Sequence, residues 1–328
     1  MARIVRTDRE LELPGVDAAL RAAGHELRLL PDGIAEEILA HEMRETELLL
    51  MCYTPVSRRV IEGANRLKGI VKYGVGIDAI DIATARERGI PVVNVPEYAE
   101  ETVAEGAVAL MMALAKNHKR IEKAMNRDGW AWPEPRWLGA DLSGKTLGLV
   151  GLGRIGTSVA RMAGAFRMRV LAFDPYVKGT VPDLRAMLAE SDFVSIHCVL
   201  NGETRHLVGE AELRAMKPTA YLINVSRGAI VDEMALLKAL QDRRLAGAAL
   251  DVYSQEPLAK QGHPLSALYE MDNVILFPHL TFYTREAMAR LEADTLERCR
   301  EVLEGRPVTV RSRDPRLRAQ TRGVRFAG

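Results

Sequence analysis

Short apolar runs that alternate with helical patterns place the strongest constraint on how this chain can fold. Six such runs, each of five or six residues, follow one another from residue 146, and β-branched residues are frequent in them. Their apolarity is continuous rather than alternating, as in strands buried on both faces of a parallel sheet. Six strands with intervening helices predict a doubly wound parallel α/β sheet of the size that binds nucleotides. The runs cover residues 146–150, 169–174, 193–198, 220–225, 247–252 and 273–277.

A second, weaker series of apolar runs occupies the first hundred residues and predicts a smaller α/β domain. One hydrophobic core rarely grows beyond about 250–300 residues, so a chain of 328 residues is also expected to form two domains. Thr54 and Pro55 have the residue types of an N-cap and a first helical position, which predicts a helix over residues 56–63. The five runs cover residues 4–5, 27–30, 48–52, 70–73 and 92–95.

Long helical patterns lie on both sides of the central series, at residues 102–126 and 284–303. Gly305 comes shortly after the second pattern, as expected of a glycine that ends a helix. The tail from Arg306 is rich in arginine and has little periodicity. The sequence leaves open whether this tail packs on the first domain or is disordered.

Composition excludes several classes of function. The chain has 45 Lys+Arg against 44 Asp+Glu and a formal charge of +1, so we expect no nucleic-acid partner. It contains no apolar run of about 18 residues, so we expect no membrane span. The three cysteines, Cys52, Cys198 and Cys299, lie far apart, so we expect no disulfide framework and no metal site. The first ten residues are too charged for a secretory signal, so we expect a cytoplasmic protein.

A GxGxxG motif at residues 151–156 follows the first strand of the central series and opens a helical pattern. Gly151 allows a tight turn, Gly153 lets the backbone approach a pyrophosphate, and Gly156 lets the helix pack closely on the strand. Asp174 lies 18 residues beyond Gly156, where a carboxylate can accept hydrogen bonds from a ribose and repel a 2′-phosphate. The motif predicts a Rossmann-type domain that binds NAD in preference to NADP.

Polar residues gather where four consecutive strands of the central series end: His197-Cys198, Ser226-Arg227-Gly228, Asp251 and Pro278-His279. A single buried His or Asp is usually a core residue, but the carboxyl edge of an open α/β sheet is where ligands bind. Hydride chemistry on a 2-keto acid requires a fixed cation for the carboxylate and a general acid for the carbonyl oxygen. Arg227 and His279 suit these roles, and Glu256 is a candidate to hold the imidazole. Whether the three side chains meet is not visible in the sequence.

At these residues the chain resembles the D-isomer-specific 2-hydroxyacid dehydrogenase family. The stretches 197–208 (HCVLNGETRHLV) and 278–284 (PHLTFYT) resemble most closely its C-terminal-binding-protein branch, a group of co-repressors that keep the catalytic residues. The matching stretches are Gly74–Asp81, Asn94–Pro96, Thr102–Glu105, the glycine motif, Asn224–Gly228, Asp251-Val252, Glu256-Pro257 and Pro278-His279.

The resemblance implies that Arg227, Glu256 and His279 form the catalytic set and that the backbone N–H groups of Val75 and Gly76 help to bind the substrate carboxylate. It implies a flavodoxin-like substrate domain, residues 1–98 and 283–328, with the NAD-binding domain, residues 99–282, inserted into it. Catalysis would take place in the cleft, and dimers would form through the cofactor domain. The expected cofactor contacts are Thr102, Gly151, Gly153, Arg154, Ile155, Gly156, Asp174, Pro175, His197, Cys198, Val225, Ser226, Asp251, which would hold the nicotinamide amide, and His279.

The chain departs from the family pattern at two places. Ala79 replaces a common asparagine, so a hydrogen bond that fixes a local loop is expected to be missing. Leu280, Thr281 and Phe282 replace small residues after the catalytic histidine, and their bulk should reshape the substrate pocket. Neither departure removes a catalytic group.

Other features of the sequence admit two interpretations each. Trp130, Trp132 and Trp137 predict either a loop packed on a neighbouring surface or an arm that contacts another subunit. Tyr73 can line the pocket or pack in the core, and Tyr53 has no role that spacing reveals. An NAD(H)-sensing co-repressor with marginal activity is the alternative function, and a methyltransferase on a Rossmann sheet would leave the Arg–Glu–His set unexplained.

Overall fold

The structure, a computed structural model, describes residues 1–327. Its strands are short and, within each sheet, parallel. In chain order they are β1 Arg3–Arg6, β2 Glu26–Leu29, β3 Leu48–Met51, β4 Gly69–Lys72, β5 Val92–Asn94, β6 Thr146–Val150, β7 Arg169–Phe173, β8 Phe193–Ile196, β9 Tyr221–Asn224, β10 Gly247–Leu250, β11 Val274–Leu276, β12 Val308–Val310 and β13 Val324–Phe326.

Helices connect most of these strands, as parallel pairing requires. They are α1 Pro14–Ala22, α2 Glu36–Met43, α3 Arg58–Gly63, α4 Ile82–Glu87, α5 Glu100–Ala115, α6 His118–Asp128, α7 Arg154–Ala165, α8 Leu184–Glu190, α9 Glu210–Ala215, α10 Glu233–Gln241, α11 Arg285–Leu303 and α12 Pro315–Arg318.

The chain divides into two compact units. The first contains residues 1–99 and the described residues from Thr284 onward. Its main sheet has the strand order β2-β1-β3-β4-β5, and β12 pairs with β13 in a small second sheet. Every residue of β3, β4 and β5 is buried, which explains why their sequences are continuously apolar apart from Lys72 and Asn94. This is the flavodoxin-like order that the resemblance implied.

The second unit spans residues 100–283. Its sheet has the order β11-β10-β9-β8-β6-β7, so the chain leaves β6 in one direction for β7 and returns to its other side for β8. Fully buried side chains from the central strands, such as Val150, Ile196 and Leu222, form the core. The carboxyl ends of β6 and β8 therefore flank a topological switch point, where open α/β sheets bind ligands.

All eleven strands predicted from the sequence are present, although most end one or two residues earlier than expected. The predicted start of the third helix is wrong. Its N-cap is Ser57, whose Oγ accepts a hydrogen bond from the Val60 N–H. The hydroxyl of Thr54 instead donates to Asp8 at 2.7 Å, so the predicted cap is already held by another loop.

Two further differences have local causes. The long pattern at residues 102–126 forms two helices, α5 and α6, because Asn117 has a left-handed backbone with φ 53° between them. The tail after Arg306 is ordered on the first unit. The side-chain amide of Gln320 accepts from the Val92 N–H at 2.7 Å and donates to the Val92 carbonyl at 2.9 Å. This pairing satisfies backbone groups on the outer edge of β5, the last strand of its sheet.

Candidate active site

The glycine loop joins β6 to α7, and the absence of a side chain at each of its three glycines has a distinct steric consequence. Gly151 has φ +97°, and a Cβ there would lie 2.5 Å from the backbone nitrogen of Cys198. A Cβ on Gly156 would lie 2.3 Å from the carbonyl oxygen of Gly151. Around Gly153, the N-cap of α7, no described heavy atom beyond its two chain neighbours lies within 4 Å of such a carbon. The N-terminus of α7 is thus accessible to a pyrophosphate.

Asp174 lies directly after β7 and faces this loop. Its Oδ2 accepts a hydrogen bond from the Leu152 N–H at 2.8 Å, and its Oδ1 accepts from the Tyr176 N–H at 2.9 Å. The carboxylate is therefore held beside the glycine loop by two backbone donors. In that position it can bind a ribose and would repel a 2′-phosphate.

His197, at the end of β8, provides an independent test of whether a dinucleotide fits. Both ring nitrogens are buried and have no hydrogen-bond partner among the described residues. Burial lowers the pKa of His197 to about 3, so the ring is neutral at physiological pH. Its Cβ lies 3.6 Å from the position that a Cβ would take on Gly156. Unsatisfied buried polar atoms beside an open glycine loop and an acid fit a nicotinamide dinucleotide.

The other expected cofactor contacts differ in their position in the fold and in their burial. The guanidinium of Arg154 forms a 2.9 Å ion pair with Glu100, and Arg154 is the first residue of α7, directly after Gly153. Thr102 is buried in the first turns of α5. Val225 is buried at the end of β9, and Pro175 is exposed after Asp174.

The loop after β9 positions Arg227 through contacts with the backbone. Asn224 donates from Nδ2 to the Arg227 carbonyl at 2.9 Å, and its Oδ1 accepts from the Ser226 N–H at 3.1 Å. The Ser226 hydroxyl donates to the Cys198 carbonyl at 2.6 Å. A Cβ on Gly228 would lie 2.1 Å from the carbonyl carbon of Tyr253, so this loop packs directly on the one that carries Glu256.

His279 and Glu256, which the sequence suggested as partners, lie within hydrogen-bonding distance of each other. Nδ1 of His279 lies 2.8 Å from Oε2 of Glu256, whose Oε1 accepts from the Tyr253 N–H at 2.9 Å. Burial by itself would raise the pKa of Glu256. The hydrogen bond from His279, the Tyr253 N–H and the charge of Arg227 outweigh burial and hold that pKa below its ordinary value of 4.5. The carboxylate is therefore ionised at neutral pH and orients the imidazole.

Asp251 holds the loop that carries His279, a role that the sequence did not reveal. The carboxylate is fully buried. Its Oδ1 accepts from the Leu280 N–H at 2.8 Å, and its Oδ2 accepts from the Thr281 N–H at 3.2 Å and hydroxyl at 2.5 Å. The Asp251 carbonyl accepts from the His279 N–H at 2.7 Å. His279 itself has φ +57°, a left-handed conformation that only such surroundings maintain. Phe282 packs edge-on against the imidazole, with ring centroids 6.3 Å apart.

Comparison with known proteins identifies the family. A family model described as "D-isomer specific 2-hydroxyacid dehydrogenase, NAD binding domain" matches residues 108–281, more than half of the chain. The chain belongs to the D-isomer-specific 2-hydroxyacid dehydrogenase family. A glyoxylate reductase of Korarchaeum cryptofilum is 40% identical over 277 residues, which cover 80% of this chain and 82% of that protein.

Two other relatives show the range of the family. A D-3-phosphoglycerate dehydrogenase of Synechocystis is 38% identical over 316 residues, or 94% of this chain, which spans only 55% of that longer protein. The crystal structure of a D-lactate dehydrogenase from Aquifex aeolicus, complexed with NAD and lactic acid, has a TM-score of 0.83 at 30% identity. The match covers 92% of this chain and 96% of the Aquifex aeolicus chain. The narrower resemblance to C-terminal-binding proteins stays a prediction.

In this chain the expected carboxylate-binding residues, Val75 and Gly76, belong to the first unit. They follow Gly74, which has φ +150°, and the Val75 carbonyl accepts from Nδ2 of Asn94 at 2.6 Å. Tyr73 is a core residue: it is fully buried, and its hydroxyl donates to the Thr7 carbonyl at 2.5 Å. The interpretation of Tyr73 as a pocket residue is therefore wrong.

Two of the three tryptophans in the loop at residues 130–137 are largely exposed. Trp130 and Trp132 are 60% and 74% exposed and contact each other edge to face. Trp137 lies under the guanidinium of Arg136, 4.5 Å from ring centroid to carbon. Asn117 Nδ2 donates to the Trp137 carbonyl at 3.3 Å, so one end of the loop is held on its own unit, and a contact with another subunit stays a prediction. No helix within residues 1–327 is both long and apolar enough to cross a bilayer.

Proposed function

We propose that this chain is an NAD-dependent D-2-hydroxyacid dehydrogenase that interconverts a 2-keto acid and a D-2-hydroxy acid. The observation that carries the proposal is the His279–Glu256 pair, 2.8 Å apart, in a loop that Asp251 fixes at the ligand-binding edge of the cofactor sheet. The glycine loop and Asp174 lie at the same edge.

Three side chains have separate roles in the proposed reaction. The guanidinium of Arg227 binds the carboxylate in two-point fashion, since its planar fork matches that group. With Nδ1 of His279 held by Glu256, Nε2 is the nitrogen that gives a proton to the carbonyl oxygen during reduction and removes it during oxidation. Glu256 stabilises the imidazolium that must be present before each reduction. The bound nicotinamide supplies or accepts the hydride.

Preference for NAD over NADP rests on Asp174. Its carboxylate is fixed beside the glycine loop by the Leu152 and Tyr176 N–H groups. A 2′-phosphate at the ribose would bring a second negative charge close to this carboxylate, whereas a free ribose hydroxyl can donate to it.

Three further parts of the proposal rest on the family resemblance. Residues 1–98 with 283–328 form the substrate domain, and the Val75 and Gly76 N–H groups bind the substrate carboxylate together with Arg227. The protein is a homodimer joined through the cofactor domain, and the exposed Trp130 and Trp132 support such an interface. No observation favours the alternative of a co-repressor that only senses NAD(H).

The test is a steady-state screen of 2-keto acids with NADH and NADPH. We expect NADH oxidation with at least one member of the panel. Arg227→Ala and His279→Ala should each lower kcat/KM by orders of magnitude while NADH binding, followed by fluorescence, survives. Arg214→Ala and His41→Ala remove exposed residues of the same types and serve as matched controls. Full activity in either active-site variant would refute the residue assignment.

A further inference from the structure

A buried lysine and a buried cysteine meet in the first unit. Cys52 directly follows β3, and Lys72 is the last residue of the neighbouring strand β4, opposite Met51 in the parallel register. The ammonium of Lys72 donates to Sγ of Cys52 at 3.0 Å. Lys72 is 4% exposed and Cys52 6%. Within the described part of the chain Lys72 has no carboxylate partner for an ion pair, which is unusual for a buried ammonium.

The surroundings hold this pair in place and connect it to the loop that follows. The Lys72 ammonium lies 5.4 Å from the centroid of the Tyr53 ring, a cation–π distance. A Cβ on Gly74 would lie 2.9 Å from Nζ of Lys72 and 3.7 Å from Sγ of Cys52. The nitrogen and sulfur atoms therefore lie directly against the first residue of the loop 74–76.

We propose that Cys52 and Lys72 are a modification site, at which peroxide joins them through a reversible nitrogen–sulfur bond. An ammonium next to a cysteine favours the thiolate, which is the reactive form. The thiolate attacks one oxygen of hydrogen peroxide and becomes a sulfenic acid, and the departing hydroxide takes a proton from the ammonium to form water. This step leaves a neutral amine beside the sulfenic acid.

The amine nitrogen then attacks the sulfur, as nitrogen nucleophiles do with sulfenic acids. The S–OH bond breaks, the hydroxyl leaves with one amine proton as a second water, and a sulfenamide remains. One peroxide is reduced to two waters, and the sulfur is oxidised by two electrons. Two thiols reverse the reaction: the nitrogen–sulfur bond is reduced, both side chains are restored, and the thiols form one disulfide.

The other two cysteines lack this arrangement and serve as internal controls. No described lysine nitrogen forms a hydrogen bond with Cys198 or Cys299. Burial raises the pKa of Cys198 to about 12 and also raises that of Cys299, so both remain thiols. Reactivity toward peroxide follows thiolate content, so Cys52 should react first.

The modification has a consequence for catalysis that rests on the proposed function. The new bond must draw together two atoms now 3.0 Å apart, directly against Gly74. The following residues, Val75 and Gly76, are those expected to bind the substrate carboxylate. A displacement of their N–H groups by about 1 Å would lower kcat/KM on the order of 10²-fold.

The experiment is mass spectrometry of the full-length protein before and after treatment with hydrogen peroxide. We expect an intact mass that lacks two hydrogens and gains no oxygen. After trypsin, residues 45–58 should be joined to residues 69–86, with the bond after Lys72 uncleaved. Dithiothreitol should restore both separate peptides. A Cys52 that stays a thiol, or that reaches the sulfinic acid without joining Lys72, overturns the proposal in the wild-type protein.

Variants separate the chemistry from its consequence. Lys72→Arg keeps a cation but removes the nucleophilic amine, so its Cys52 should be trapped by dimedone and form no cross-link. Cys52→Ser should show no change at either peptide. Loss of NADH-dependent activity on oxidation, regained with dithiothreitol, supports the regulatory consequence, and a cross-link without loss of activity overturns it. If the reduced enzyme turns over no 2-keto acid, the proposed function fails, while the cross-link is still measured by mass.

Discussion

Asp251 offers the sharpest test of how the site is held together. It is fully buried, and its side chain accepts three hydrogen bonds from Leu280 and Thr281, immediately after His279. In Asp251→Asn an NH2 group takes the place of one oxygen. If it replaces Oδ2, it faces the Thr281 N–H, a donor, and leaves that buried N–H unsatisfied. Such a group costs about 1–3 kcal/mol of unfolding free energy.

The same change releases a residue with an unfavourable backbone. His279 has φ +57°, and left-handed conformations of non-glycine residues cost about 1–3 kcal/mol unless their surroundings impose them. With the hydrogen bonds weakened, the imidazole should leave its position at Glu256. We therefore expect Asp251→Asn to lower kcat on the order of 10²-fold, and Tm by about 2–4 °C for each kcal/mol lost.

The assay must separate positioning from a direct contact with the nicotinamide, which the family resemblance also predicts for Asp251. Thr281→Val removes the hydroxyl that donates to Oδ2 at 2.5 Å and leaves the carboxylate in place. If Asp251 acts by positioning, Thr281→Val should lower kcat in the same direction with little change in the dissociation constant for NADH. Wild-type kcat in Asp251→Asn, or a loss confined to NADH affinity in both variants, would refute this reasoning.

Three other perturbations test separate parts of the structure. Asp174→Ala removes the proposed ribose acceptor, and a charged hydrogen bond is worth about 1.5–3 kcal/mol, so KM for NADH should rise about 10–100-fold while the ratio of NADPH to NADH activity increases. Because the pKa of Glu256 is lowered in the folded state, its contribution to stability is present above pH 4.5 and is lost as pH falls through the folded value. Glu256→Gln should therefore flatten the fall in unfolding free energy below pH 4.5, measured by urea titration across pH. Gln320→Ala removes two hydrogen bonds to Val92, each worth about 0.5–1.5 kcal/mol, and hydrogen exchange at the Val92 N–H should accelerate.

The sequence predicted best what depends on local pattern. Apolar runs located all eleven strands of the two main sheets, most clearly the buried β3, β6 and β8, because a parallel strand covered on both faces has little choice of residue type. The predicted helix boundaries were wrong where a single residue determines where a helix begins or ends. The Thr54 hydroxyl donates to Asp8, and Ser57 is the N-cap of α3 instead. The left-handed backbone of Asn117 separates one long helical pattern into α5 and α6.

Long-range contacts explain what the sequence could not provide. The types of Arg227, Glu256 and His279 suggested their chemistry, but their proximity depends on how the loops after β9, β10 and β11 pack together. The tail strands β12 and β13 were missed because the tail is rich in arginine and has little periodicity, whereas its contact with β5 through Gln320 joins residues far apart in the chain. The contact of Lys72 with Cys52 likewise follows from strand register, which spacing along the chain does not reveal.

Backbone groups and side chains have separate roles around His279, and this separation gives a physical reason why one family can act on different acids. The named relatives are a glyoxylate reductase, a D-3-phosphoglycerate dehydrogenase and a D-lactate dehydrogenase. Here His279 and Glu256 receive hydrogen bonds from within their own unit, through the loop that Asp251 holds and through the Tyr253 N–H. Residues outside that network can change without disturbing it, so substrate choice can diverge while the chemistry is retained. Leu280 shows this separation within one residue, because its N–H serves Asp251 whereas its side chain, 41% exposed, is not needed for the hydrogen bond.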